Sequence, residues 1–330
     1  MLVLGIESSC DETSVAVLDG GAVLSSLTCS QGEHALYGGV VPEVASRAHL
    51  EKIDGLARAA LGECGAAPGD LGLIAVTDSP GLAGALLVGV SFALGLHAAW
   101  GTPVTGVNHL EGHICSLFID RPDMEPPFLA LLASGGHTAI YMYRGPGQYE
   151  LLGQTVDDAA GEAFDKVGKL LGFPYPAGQA IEREAAKAAN AGRGITFPIA
   201  RFSPGKEFCF SFSGLKTAVK NFILTKGADY INDNRPEVCA AFQRAVVNSL
   251  ADNLEAASGA YGIGKVAVAG GVACNGYLRD ELARRFGAKN VAFPPPHLCT
   301  DNGAMIAMAG YMMYESGRLR FPKMDPGRGI

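Results

Sequence analysis

Two stretches of the chain carry one pattern of apolar and polar positions. Val3-Leu4-Gly5-Ile6-Glu7-Ser8-Ser9 leads through Asp11-Glu12-Thr13 into Val15-Ala16-Val17-Leu18, and Leu129-Ala130-Leu131-Leu132-Ala133-Ser134 leads through Gly135-Gly136-His137-Thr138 into Ala139-Ile140-Tyr141. Short apolar runs bounded by Ser, Gly and Asp read as strands joined by a polar turn. A hairpin at the head of each half predicts an internal duplication, with two similar lobes whose turns face one another across a cleft. Residues 73–77 and 266–269 are further apolar runs, each followed by a glycine-bearing turn and a helical pattern, so both lobes are expected to be α/β. Apolar residues recur at three- and four-residue steps over 237–257, and Thr300-Asp301 can cap a helix from Asn302 onward.

Composition fits this picture. The 330 residues are 48% hydrophobic and 18% charged, enough to bury one large core or two moderate ones. The 44 glycines follow no triplet period and cluster between apolar runs, which reads as loop chemistry. Eight cysteines without a CxxC pair indicate neither a zinc ribbon nor a disulfide framework, and a reducing cytosol fits best. The first residues carry no basic leader.

Residues 82–100 hold no formally charged side chain and meet the length of a membrane span. The interruptions at Gly84, Gly89, Ser91, Gly95 and His97, the lack of a flanking Lys/Arg cluster, and the preceding Asp78-Ser79-Pro80-Gly81 turn favour a buried helix instead. The net charge of −7 is unevenly placed: residues 182–226 hold eight basic and three acidic side chains, net +5, which leaves −12 for the rest. A smaller, basic, partly helical insertion is expected near 181–227. That charge is either a solvated face or a place where phosphate backbone docks, and docking is the reading preferred here.

The sharpest chemical signal is Asn108-His109-Leu110-Glu111-Gly112-His113, whose two imidazoles, four apart, share one face of a helix. Glu111 lies about 200° round the helix from His109, unlike the glutamate of an H-E-x-x-H peptidase. Asp301, in Cys299-Thr300-Asp301-Asn302-Gly303, is either a helix cap or a carboxylate ligand. Two histidines and one carboxylate leave positions open for substrate oxygens and suit ferrous iron or zinc better than magnesium or calcium. Ser134-Gly135-Gly136 and Gly270-Gly271 let backbone amides approach a phosphate, and the second pair is expected to open a helix whose dipole adds to the attraction. Among Asp157, Asp158, Glu162 and Asp165, a solvated acidic face competes with a ribose-binding carboxylate, for which Asp165 is the best placed.

These motifs, with Gly38-Gly39-Val40-Val41-Pro42-Glu43, Pro80-Gly81-Leu82, Ala160-Gly161-Glu162-Ala163-Phe164-Asp165-Lys166 and Phe210-Ser211-Phe212-Ser213-Gly214-Leu215-Lys216, resemble the TsaD family of tRNA adenosine threonylcarbamoyltransferases over essentially the full length. The resemblance implies the actin-like ATPase fold of sugar kinases and Hsp70. An N-terminal lobe would span residues 1–125, joined by the helix of 302–330, with a C-terminal lobe at 126–301. It implies one divalent metal, ferrous iron with zinc as the alternative, held by His109, His113 and Asp301. It implies an adenine nucleotide contacted by Leu132, Ala133, Ser134, Gly135, Gly136, Asp165, Gly178, Glu182 and Asn275, with Asp11 and Glu12 bordering the reacting group. Expected partners are tRNA, a paralogous actin-fold subunit and an ATPase, in the cytoplasm. Where the family reads Tyr-Pro-Gly-Gly-Pro, this chain has Tyr175-Pro176-Ala177-Gly178-Gln179, which places the geometry around Gly178 in question. Rival readings are an actin-fold small-molecule kinase, a non-catalytic partner-type relative and a metallo-endopeptidase.

Overall fold

A computed structural model of the chain describes residues 1–36, 39–189 and 194–330, so Gly38 of the glycine motif lies outside the described residues. The chain forms two compact units. One comprises Met1–Glu125, Gly145–Tyr149 and Pro294–Ile330, and the other Pro126–Arg144 and Glu150–Phe293.

The first unit is built on strands β1 (Leu2–Glu7), β2 (Glu12–Asp19), β3 (Ala22–Ser30), β4 (Leu71–Ser79) and β5 (Val104–Asn108), in the order β3-β2-β1-β4-β5. β1 runs antiparallel to β2 and parallel to β4, and β4 is parallel to β5. β1 is apolar at successive positions because both of its faces are covered. Leu4 and Ile6 join Ile53, Ala57, Val90 and Ala93 of the helices Pro42–Glu63 and Ala83–Trp100 in one core. Gly5, pointing the other way, meets the helix Gly303–Glu315, where an added Cβ would lie 2.1 Å from the Gly303 carbonyl oxygen.

The second unit repeats the plan. Its strands β6 (Phe128–Ala133), β7 (Thr138–Gly145), β8 (Gln148–Gln154), β9 (Val266–Ala269) and β10 (Val291–Ala292) take the order β10-β9-β6-β7-β8. Read in reverse, that is the first sheet strand for strand, with β6 antiparallel to β7 and parallel to β9, and β9 parallel to β10. The duplication expected from the two hairpins is therefore present in the topology. The long helix Arg235–Tyr261 buries an apolar side from Val238 to Ala257.

Three local expectations need correction. The helix after Asp301 starts at Gly303, and its cap is Asn302, whose side chain accepts from the Met305 amide at 2.8 Å. Gly270-Gly271 opens only a short 3-10 turn, Gly271–Cys274, and the helix follows at Gly276–Phe286, capped by Asn275. The apolar run of 82–100 is a helix, Ala83–Trp100, long and apolar enough to cross a membrane, yet only 28% of it is buried inside the unit. Ala85, Leu86, Gly89, Val90 and Ala93 are buried, and Leu87 is exposed.

Candidate metal centre and nucleotide-side turns

His109 and His113 stand one turn apart on the helix His109–Cys115, which β5 delivers and Asn108 caps: the Asn108 Oδ1 accepts from the Leu110 and Glu111 amides. Because Asn302 does the capping at the helix Gly303–Glu315, Asp301 is left to face the two imidazoles. One ligand atom from each of His109, His113 and Asp301 lies within 4.8 Å of the others.

The buried His113 shows why these residues fit a cation. Neither ring nitrogen makes a hydrogen bond. Nε2 does lie 3.1 Å from Asp301 Oδ1, which is a charge-pair distance, but the two atoms are not oriented for hydrogen bonding. An unbonded buried imidazole is costly, and an ion accepting its lone pair removes that cost at one of the two nitrogens. His109 is arranged differently. Its Nδ1 lies 3.0 Å from Glu7 Oε2 and 3.1 Å from Ser9 Oγ, and its Nε2 lies 3.6 Å from Asp301 Oδ1. With Nδ1–H donated to the Glu7 carboxylate, Nε2 is turned to the Asp301 side, where a cation would take the place of its proton, the outer-shell arrangement that orients a ligating histidine.

The local field calls for positive charge. Burial alone would raise the Glu7 carboxyl, but His109 and the Thr77 hydroxyl, 2.6 Å away, outweigh it and hold the group below its ordinary value. Burial opposes protonation of His109, yet the Asp301 and Glu7 carboxylates push it up to about 9. Glu12 is raised to about 9 by burial and then by the negative charges of Asp301 and Asp11.

Asp11 lies in the turn between β1 and β2 and Glu12 opens β2, and residues that sequence reasoning left without a role hold that turn. His49, fully buried on the helix Pro42–Glu63, lies 2.9 Å from the Cys10 carbonyl through Nε2 and 2.8 Å from Thr13 Oγ1 through Nδ1. The carbonyl can only accept, so Nε2 carries the proton and the Thr13 hydroxyl donates to Nδ1. Glu7, a carboxylate closing an apolar strand, was a readable signal. His49 was not, since a helical histidine facing a turn looks like any core residue.

In the second unit the Ser134–His137 turn is closed by the Ser134 amide on the His137 carbonyl at 2.8 Å and by the His137 amide on Ser134 Oγ at 3.1 Å. Leu132 and Ala133 are buried in β6, while Gly135 and Gly136 are exposed and a Cβ at either would meet open space. Gly161 and Gly270 crowd the same turn. A Cβ at Gly161 would lie 2.6 Å from the Ser134 carbonyl oxygen, and one at Gly270 2.4 Å from that of Ala133.

Asp165 Oδ1 accepts from the Ala177 amide at 2.7 Å and so orders the loop leading to Gly178, where a Cβ would again meet open space. Ala177, the departure from the family pattern, fits because residue 168 is glycine: a Cβ there would lie 2.1 Å from that of Ala177. Asn275 and Glu182 have structural work. Asn275 caps Gly276–Phe286 and donates to Gln243 Oε1 at 2.9 Å, while Glu182 Oε1 accepts from the Gly276 amide at 2.6 Å. Asp157 is bound by the hydroxyls of Ser211 and Ser213, and Asp158 pairs with Lys166.

A family model for TsaD, tRNA N6-adenosine threonylcarbamoyltransferase, matches residues 22–308. An enzyme of that name from Geotalea uraniireducens (strain Rf4) is 50% identical over 314 residues, covering 94% of this chain and 90% of its own. One from Clostridium botulinum (strain 657 / Type Ba4) is 48% identical over 320 residues, covering 96% and 93%. Among solved structures, T. kodakarensis HypF aligns with TM-score 0.64 at 13% identity over 97% of this chain and 48% of that one. Component A of the Acidaminococcus fermentans (R)-2-hydroxyglutaryl-CoA dehydratase aligns with TM-score 0.56 at 15% identity over 94% and 98%. At such identities these structures speak for the fold, the two-lobed α/β plan of actin-like ATPases, and the family follows from the sequence relatives. The chain belongs to the TsaD family of tRNA N6-adenosine threonylcarbamoyltransferases.

Proposed function

We propose that this chain transfers the threonylcarbamoyl group of threonylcarbamoyl-AMP to N6 of the adenosine adjacent to the anticodon, in tRNAs reading codons that begin with adenine, and releases AMP. Beyond family membership, one observation carries the reading: two imidazoles and a carboxylate converge within 4.8 Å, with both nitrogens of buried His113 unbonded. His109, His113 and Asp301 would hold a divalent ion, ferrous iron by preference and zinc as the alternative. When bound, the ion supplies Lewis acidity to the acyl carbonyl and charge compensation for the leaving phosphate.

The chain's own residues do the rest. Glu7 fixes the His109 tautomer, and Ser9 and Thr77 hold Glu7. The exposed amides of Gly135 and Gly136 suit the adenylate phosphate, and the loop ordered by Asp165 suits its ribose. As N6 bonds to the carbamoyl carbon and the carbon–oxygen bond to phosphate breaks, Glu12 takes the amine proton. In the metal-free chain burial and the charges of Asp301 and Asp11 raise the Glu12 carboxyl to about 9, which keeps it protonated at neutral pH. A cation on Asp301 would offset that charge, lower the carboxyl and free it to act as base. Asp11 borders the same turn. Peptidase chemistry lacks its glutamate, since the Glu111 carboxylate accepts from the Tyr149 hydroxyl at 3.1 Å.

The helices Pro42–Glu63 and Ala83–Trp100 each leave a leucine open, Leu50 at 70% and Leu87 at 55% exposure, which supports a partner subunit on these helices. A paralogous actin-fold protein is the proposed occupant, with an ATPase completing a cytoplasmic assembly. The deciding experiment supplies tRNA, threonine, bicarbonate, ATP, the adenylate-forming enzyme and the accessory subunits, then reads the modified nucleoside by mass spectrometry. Product should need this chain and should vanish with His113→Ala. Undiminished product with that variant would end the metal-site reading.

A further inference from the structure

We propose that the segment from Arg318 to Gly329 is a strap that positions the metal-bearing helix His109–Cys115 through the side chain of Asn108. The inference rests on the metal reading above and adds residues far from it in sequence. Asn108 does two jobs at once. Its Oδ1 caps the helix, accepting from the Leu110 and Glu111 amides at 2.9 and 3.3 Å, while its Nδ2 donates to the carbonyls of Arg328 and Gly329 at 3.1 and 3.2 Å. The amide side chain satisfies both sides, whereas a carboxylate can cap but cannot donate.

The strap is tied down at Asp78, a carboxylate with no solvent exposure at the end of β4. Arg320 donates to both Asp78 oxygens through its two terminal nitrogens, and the Lys323 amide adds a third bond at 2.9 Å. Farther along, the Asp325 amide donates to the Asp78 carbonyl at 2.9 Å. A buried carboxylate compensated by a two-pronged guanidinium holds its partner in one geometry.

Beside it the strap meets β5, the edge strand: Gly106 donates its amide to the Arg320 carbonyl at 3.1 Å. Gly106 has to be glycine here, since a Cβ would lie 2.1 Å from Asp78 Oδ2 and 2.9 Å from Pro322 Cα. The strap also reaches toward His109 by a second route. The Gly81 amide donates to the Pro326 carbonyl, the neighbouring Leu82 amide donates to the Ser9 carbonyl, and Ser9 Oγ lies 3.1 Å from His109 Nδ1.

A segment that merely covered an edge strand would need the bonds to β5, not a bond to the helix cap. The two roles separate in the full chain with Asn108→Asp, which keeps the cap and cuts the strap. Zn2+ affinity is read by competition with a chromophoric chelator, the Co2+ absorption spectrum reports coordination geometry, and thermal melting of the metal-free protein reports folding. Asn108→Asp should weaken Zn2+ binding about tenfold or more, with an altered Co2+ spectrum and a melting midpoint near wild type. Wild-type affinity with an unchanged spectrum overturns the strap's role. Should wild type itself bind neither ion, the metal reading falls, and the strap with it. If Asn108→Asp fails to fold, Arg320→Lys, which keeps the charge and loses the fork, decides by the same three measurements.

Discussion

A fully buried carboxylate is tolerated only where hydrogen bonds and charge surround it, and Glu7 has both. The Ser9 amide binds one oxygen, and Thr77 Oγ1 and His109 Nδ1 share the other. Glu7→Gln leaves one carbonyl oxygen for three partners and loses the charge opposite His109, so divalent-ion affinity should fall about 10- to 100-fold. Chelator competition measures this, and binding equal to wild type would remove Glu7 from the centre. At this scale the sequence was partly readable. The His109/His113 pair shows itself through helical spacing, because four residues are one turn. Asp301 does not, because its meeting with them depends on where the helix Gly303–Glu315 packs against β1. Locally it resembled a cap, a job the next residue performs. Asn275 misleads in the opposite sense, since a cap read from sequence alone looks like any polar side chain near a glycine turn.

The helix Gly276–Phe286 is fastened to the helix Arg235–Tyr261 by charge. Glu281 accepts from Arg284 and Arg285, and Arg285 reaches Asp252 and Glu255 at 2.7 and 3.0 Å. The bond from Arg284 first, with Arg285 adding to it against the effect of burial, lowers the Glu281 carboxyl from 4.5 to about 2. The folded value lies below the unfolded one, so the stabilisation is complete above pH 4.5 and is lost as pH falls through about 2. Glu281→Gln should therefore cost roughly 1–2 kcal/mol at pH 7, with the solvent-screened arginines keeping it below the full linkage value. The variant should converge with wild type below pH 2. Urea unfolding at both pH values tests this, and a pH-independent difference would refute it. The central strands of the two sheets were legible because parallel neighbours demand continuous apolar runs, as in Val266–Ala269. The turn after that strand was not, because Gly270, at φ +89°, sets a 3-10 turn that no periodicity announces.

Across the whole chain, net charge and local charge disagree, and the disagreement bears on substrate. At −7 overall the protein should repel polyanions at long range, yet residues 182–226 carry a net +5. Their described part holds the end of the helix Gly178–Ala185 and the helix Ser213–Lys226, with Arg201, Lys206, Lys220 and Lys226 exposed between and along them. Residues 190–193, which include one of the eight basic side chains, lie outside the described residues. Lys226 stands 5.1 Å over the Tyr230 ring and 5.9 Å from the Phe222 ring centre, so part of the charge rides on an aromatic platform suited to stacking as well as to phosphate. If this face is merely solvated, reversing its charge changes little, because isolated surface substitutions stay within about 0.5 kcal/mol of stability. If it meets phosphate backbone, each lost contact removes about one counterion from the salt dependence of binding. Lys206→Glu with Lys220→Glu should therefore weaken tRNA binding and flatten the plot of log affinity against log salt by about one to two, with metal affinity and melting midpoint unchanged. Binding titrations between low and physiological salt measure it. A parallel plot at undiminished affinity would return the segment to the solvated reading and move the search for the tRNA surface elsewhere.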